Sequence, residues 1–194
     1  MIKTNIAREY PAHIAICRYS DQTLYLADYT NQTRSARGVE IFENTPPADI
    51  ASFELKNNVN LMSGYLSFDN TSFTRSDGSP LSQCECVVFP ETSGTSSWIF
   101  FAELKYSNNS IRNDNNINKA IRQLYRTRTY YLNKGIFSKT NNCYLFASLP
   151  MQAEPFAQTV ISQMDLQRLK SRHNVILRLQ NHAKIQSNKI INAL

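Results

Sequence analysis

Residues 84–106 read CECVVFPETSGTSSWIFFAELKY. CECVVF (84–89) and SWIFFAELKY (97–106) are short, nearly unbroken apolar runs joined by the loop-forming PETSGTSS. Runs of this kind belong to strands covered on both faces, in the middle of a sheet. Upstream, NLMSGYLSF (60–68) predicts another strand, and DNTSFTRSDGSP (69–80) a polar connector with Asp77-Gly78 as a turn. Downstream, SNNSIRNDNNIN (107–118) is a polar loop with six Asn. A helix follows, with Ile117, Ala120, Ile121, Leu124, Tyr125, Tyr131 and Leu132 at helical spacing and Gly135 to end it. CYLFASLP (143–150) is a further buried-type strand. A long helix between two central strands implies a crossover and some parallel pairing. The chain is therefore expected to be α/β or α+β, with a mixed central sheet flanked by helices.

Outside this core, AHIAICRY (12–19) and TLYLADYT (23–30) predict a hairpin turning at Ser20-Asp21-Gln22, and GVEIFE (38–43) a third strand. ENTPPADIASFELKNN (43–58) predicts a helix capped by Thr45, with Pro46 in its first turn and Ile50, Phe53 and Leu55 inward. Residues 151–194 read as mostly helical, with Leu169, Ile176, Leu179 and Ala183 on the inner face. The expected division is a β-rich N-terminal appendage (1–45), a core (46–150) and a basic C-terminal helical region (151–194).

The whole chain has 194 residues and a net charge of +6. That length carries about one domain with a core that needs no staple. No run approaches the roughly 20 apolar residues that span a bilayer, and no signal peptide is legible at the start. Four cysteines (Cys17, Cys84, Cys86, Cys143) are too few for a disulfide scaffold. These features predict a cytoplasmic protein with reduced thiols. Charge is unevenly spread: residues 1–111 carry 8 basic and 12 acidic side chains, residues 112–194 carry 13 and 3. A half with net charge +10 attracts polyanions.

Glu103 and Lys105 are two apart on an apolar strand, so they project to the same side. A buried Glu and Lys must pair with each other or with a metal. Glu85 is the unexpected acid of the preceding strand and comes near Glu103 if the strands are neighbours. Two close carboxylates repel, and a hard divalent cation such as Mg²⁺ (or Mn²⁺) relieves the repulsion. A lysine beside such a cation orients an attacking water or stabilises charge building on a phosphate. No Ser/His/Asp or Cys/His arrangement and no Gly-rich phosphate loop is legible.

QCECVVF, WIFFAELKY, NKAIRQLYRT and CYLFASL in this order resemble the PD-(D/E)xK nuclease superfamily, the restriction-endonuclease-like fold. The resemblance covers about residues 46–150. It implies Mg²⁺-dependent cleavage of phosphodiester bonds in nucleic acid, with DNA the expected substrate and defence or repair the expected setting. By position, Glu85 and Glu103 would be the metal-binding carboxylates and Lys105 the catalytic lysine. Some branches add a helix glutamate, for which Glu54 is the best-placed candidate and Glu43 the second. Gln123 is similar to a helix glutamine found in one branch. Lys119, Arg122 and Arg126 form the basic ridge expected to hold the phosphate backbone. The N-terminal region is expected to serve a protein partner or a homodimer. The competing expectation is a non-catalytic subunit of a larger complex on a degenerate nuclease fold.

Overall fold

A computed structural model describes residues 1–30, 37–157 and 159–193, without the side chain of Ala193. Six strands form one mixed sheet in the order β1 (Arg18–Ser20), β5 (Ser63–Ser67), β6 (Cys86–Pro90), β7 (Trp98–Leu104), β8 (Asn142–Ser148) and β9 (Val175–Leu179). The pairings from β1 to β7 are antiparallel, and β7–β8 and β8–β9 are parallel. The expected crossover helix is α3 (Asn113–Asn133), which joins β7 to β8. Ile117, Ala120, Leu124 and Tyr131 form its buried side, and Gly135, at φ 65°, follows its end. A left-handed residue there lets the chain leave the helix without the Cβ penalty.

A second mixed sheet runs β11 (Ile191–Ala193), β10 (His182–Ile185), β4 (Phe53–Lys56), β2 (Leu24–Asp28), β3 (Val39–Glu43). It packs on the first through Leu24, Leu26, Phe53, Leu55, Ala183 and Ile185. The even residues of β7, Trp98, Phe100, Ala102 and Leu104, belong to that contact. The odd residues Ile99 and Phe101 belong to a second core, built with Ile2 and Ile6 of α1 (Ile2–Glu9) and the inner face of α3. Every residue of β7 is buried. The molecule thus has three layers: helices, six-stranded sheet, five-stranded sheet. The near-continuous hydrophobicity of 97–106 follows from the middle position.

Several local expectations are corrected. Most of 12–19 lies in α2 (Pro11–Ile16) or just after it, and β1 pairs with β5 rather than with β2. Pro11 starts that helix, where its missing N–H is harmless. The helix expected within 43–58 is absent. Phe53 and Leu55 instead alternate with Glu54 and Lys56 on β4, at the period of a strand. The C-terminal region is not mostly helical: α4 (Gln163–His173) stops at left-handed Asn174 (φ 50°), and three strands follow. Residues 1–45 contribute α1 and α2 to the helical layer, β1 to one sheet, and β2 and β3 to the other. No described helix is long and apolar enough to cross a membrane.

Phe53 holds the two sheets together, with its ring centroid 5.6 Å from that of Phe100 and 5.4 Å from that of Phe146. Its truncation leaves a cavity between the sheets. Phe53→Ala is expected to lower stability by about 3–5 kcal/mol, read by urea unfolding through Trp98, the single tryptophan. A loss below about 1 kcal/mol would place Phe53 outside the core.

Candidate active site

The register of β6 and β7 sets Cys86 against Ala102, and the Glu85 amide donates to the Ala102 carbonyl at 3.0 Å. Glu85 itself lies in a bend just before β6, and its side chain meets that of Glu103. Lys105 is two residues beyond Glu103 and bonds back to it, and its amide is tied to the Ser148 carbonyl of β8 at 2.9 Å. The three residues expected from the sequence are thus brought together.

Glu103 is fully buried and accepts a charge-assisted hydrogen bond from the Lys105 ammonium at Oε1. Its Oε2 is buried with no hydrogen-bond partner. Burial raises the Glu103 carboxyl to about 7, against the lowering pull of Lys105. Burial, then the negative charge of Glu103, raises Glu85 well above the usual carboxylate range. Burial disfavours the Lys105 ammonium, but the facing carboxylates outweigh it and hold the group charged, with a raised pKa. Glu85 and Glu103 are within hydrogen-bonding reach of each other. Two carboxyls so placed must share a proton or take a cation between them.

Glu85 and Lys105 open into a cleft of about 470 Å³, whose walls include Asp28, Asp69, Gln83 and Gln123. Asp28 is the residue that sequence reasoning missed. It ends β2, is 1% exposed, and acts electrostatically on Glu85, Glu103 and Lys105 from the second sheet. The signal was present: Asp28 is an acid inside the apolar segment TLYLADYT, as Glu85 is inside CECVVF.

The other expected residues fall differently. Glu54 lies on β4, paired across the strands with Tyr25, between the inward Phe53 and Leu55. It therefore faces away from the intersheet core and does not join the cluster. Glu43 accepts hydrogen bonds from Ser20 at 2.6 Å and Tyr65 at 2.7 Å and is also elsewhere. Gln123 reaches the cleft from α3, its side-chain amide donating to the Gln83 carbonyl at 2.8 Å. Lys119, Arg122 and Arg126 are exposed on α3. Lys119 and Arg126 are four and three residues from Gln123, so they neighbour it on the helix surface.

The donor set can be tested against a divalent cation. Among the described residues no group of three or more His, Cys, Asp or Glu is gathered to hold a metal. Mg²⁺ does not need three: it is commonly bound through one or two carboxylates, with waters and substrate phosphate completing the shell. The unpartnered Oε2 of Glu103 beside Glu85 fits that mode.

Comparisons with protein-family models, with curated proteins and with solved structures find no match to this chain.

The raised carboxyls fix the sign of a pH effect. A carboxyl with a folded pKa above its unfolded value holds a proton that the unfolded chain releases. The stability this contributes is complete below about pH 4.5 and is lost as the pH rises through 7. At 1.36 kcal/mol per pH unit, the rise of Glu103 from 4.5 to about 7 corresponds to about 3 kcal/mol. Without divalent ions, the melting temperature is expected to fall from pH 5 to pH 8. Glu85→Gln, which keeps the shape of the protonated acid and spares the Glu103–Lys105 pair, should flatten that slope. Parallel slopes in wild type and variant would show that the two carboxyls do not interact.

Proposed function

We propose that the protein is a divalent-metal-dependent nuclease that hydrolyses phosphodiester bonds. One observation carries this reading: the Glu85 and Glu103 carboxyls meet at the end of neighbouring strands, Lys105 bonds to Glu103, and Glu85 and Lys105 open into a cleft. The order of the surrounding elements also supports it. A three-strand antiparallel meander, a crossover helix and a parallel strand follow the arrangement that the PD-(D/E)xK resemblance implies.

Glu85 and Glu103 would hold Mg²⁺ or Mn²⁺, which supplies Lewis acidity toward a phosphate oxygen. Lys105 is the chain's own cation at the site. Its ammonium, kept protonated by the surrounding carboxylates, stabilises charge that builds on the phosphate as water adds and the P–O bond breaks. The exposed Lys119, Arg122 and Arg126 hold neighbouring phosphates beside the cleft.

A second reading is a non-catalytic subunit on the same scaffold. It is favoured by the Lys105–Glu103 pair, which already satisfies Oε1, and by the lack of a three-ligand group among the described residues.

Calorimetric titration of Mn²⁺ and Mg²⁺ separates the two. Under the nuclease reading wild type binds the ion, and Glu85→Gln and Glu103→Gln abolish the heat. Each of these variants, and Lys105→Met, should lower cleavage of DNA or RNA by about 10²–10³-fold. No heat and no cleavage in wild type would establish the non-catalytic subunit. For the basic ridge, Arg122→Ala and Arg126→Ala should each weaken nucleic-acid binding evenly across sequences. Each should also reduce the slope of log affinity against log salt by about 1. Unchanged salt slopes would remove α3 from the interface.

A further inference from the structure

We infer that a second cavity, where the edges of the two sheets meet, binds a small organic anion, its carboxylate or phosphate head on Arg178 and Lys170 and its apolar body against the walls. β9 ends the six-stranded sheet and β11 ends the five-stranded sheet. Residues of both strands line a cavity of about 290 Å³, to which α4 adds Leu166 and Lys170. It shares no residue with the cleft of Glu85 and Lys105 and does not depend on the nuclease reading. Its apolar walls include Tyr144, Ile176, Ile190 and Ile191. The Tyr144 hydroxyl accepts the Ile191 amide at 3.1 Å, which ties β11 to β8 and fixes two of those walls. Lys170, Ile190 and Asn192 are exposed, so the cavity is open to solvent. Apolar surface kept in contact with water this way gains from being covered.

The charge of the lining points to the head group. It holds two cations and no acid. Arg178 projects to the same side of β9 as Ile176, two residues earlier. Of its five N–H donors it uses one, on the Leu177 carbonyl at 3.1 Å. Lys170 donates to the side-chain carbonyls of Asn142 at 3.2 Å and Asn174 at 2.9 Å, both neutral. Among the described residues neither cation is paired with a carboxylate. A larger adjoining cavity also reaches Arg178 and contains Glu154, but that acid is taken up by the Asn181 amide and by His182 at 3.3 Å. Partial burial, then the charge of Arg178, pushes the Lys170 ammonium below its ordinary value, with no acid opposing. Two like charges in one cavity repel, and an anion between them relieves the repulsion. A guanidinium matches a carboxylate or a phosphate through two parallel N–H donors, and the ammonium adds a point charge. The volume is at the small end of ligand pockets, so the body is about one ring system or a short chain.

The test is an amide NMR titration of the full chain, without metal, using phenyl phosphate, benzoate, hexanoate, 5′-AMP, inorganic phosphate and the neutral benzyl alcohol. At least one of the four organic anions should bind with a Kd of about 1 mM or tighter and shift the amides of 176–178 and 190–192. The tightest of them assigns the head as carboxylate or phosphate and the body as ring, chain or nucleoside. Inorganic phosphate lacks the body and benzyl alcohol lacks the charge, so each should bind about tenfold more weakly. Arg178→Met keeps an unbranched apolar stem and removes the charge. Ile190→Glu sets an acid in the lining at an exposed position, where the fold tolerates it. Each variant should weaken binding about tenfold and leave the melting temperature unchanged. Absence of binding by every organic anion would overturn the inference and leave Arg178 and Lys170 as stems laid over apolar surface. Shifts that map to the cleft or to α3 would also overturn it, as would wild-type affinity in both variants. So would inorganic phosphate bound as tightly as the organic anions. Neither Mn²⁺ nor cleavage enters the readout, so failure here leaves the nuclease reading standing.

Discussion

The burial of the Glu103 carboxylate against the Lys105 ammonium is the constraint around which the site is arranged. A strand sealed on both faces has no water to offer a charge, so an acid there needs a cation from its own surroundings. Lys105 supplies it from two residues away on the same face. Glu85, just before β6, adds a second carboxyl, which burial and the charge of Glu103 push toward its protonated form. A second acid that this one lysine does not satisfy is what makes the arrangement chemically suggestive. Replacing the trio with apolar side chains of similar volume would be expected to stabilise the sheet, so stability alone gives no account of it.

The part of the fold that was legible in the sequence is the part where a single factor controls the pattern. Residues 84–106 lie in or beside the middle of the six-stranded sheet, and double burial wrote an almost unbroken apolar run. The inner face of α3 appeared at its own spacing because that helix buries one side only. Glu85, Glu103 and Lys105 stood out for the converse reason: each is a charge where the pattern demanded an apolar residue.

Elsewhere two periodicities compete. The segment AHIAI is short, apolar and rich in isoleucine, as a strand would be, yet Pro11 and the contacts of α2 with α1 and the aromatic core make it a helix. In 43–58 the cap at Thr45 and Pro46 suggested a helix, while Phe53 and Leu55 face the intersheet core at period two. Glu54 was misplaced with its segment. Ile176, Leu179 and Ala183 fit one helical face with Leu169 by spacing, yet they lie on β9 and β10, beyond the left-handed Asn174 that ends α4. Asp28 escaped notice because its importance depends on where the second sheet sits, and no short-range pattern encodes that.

The pairing of β10 with β4 has a consequence for how the chain folds. His182 lies beside Glu54 and Lys184 beside Lys56, in parallel, so the five-stranded sheet joins segments far apart in the sequence. Such long-range parallel pairing is slow to form. Until β10 arrives, β4 is an unsatisfied edge that presents Phe53 and Leu55, and edges of that kind seed association between chains. Intermolecular pairing at β4 is therefore the failure most exposed during refolding at high concentration, and it competes directly with the completion of the sheet that carries Asp28 to the cleft.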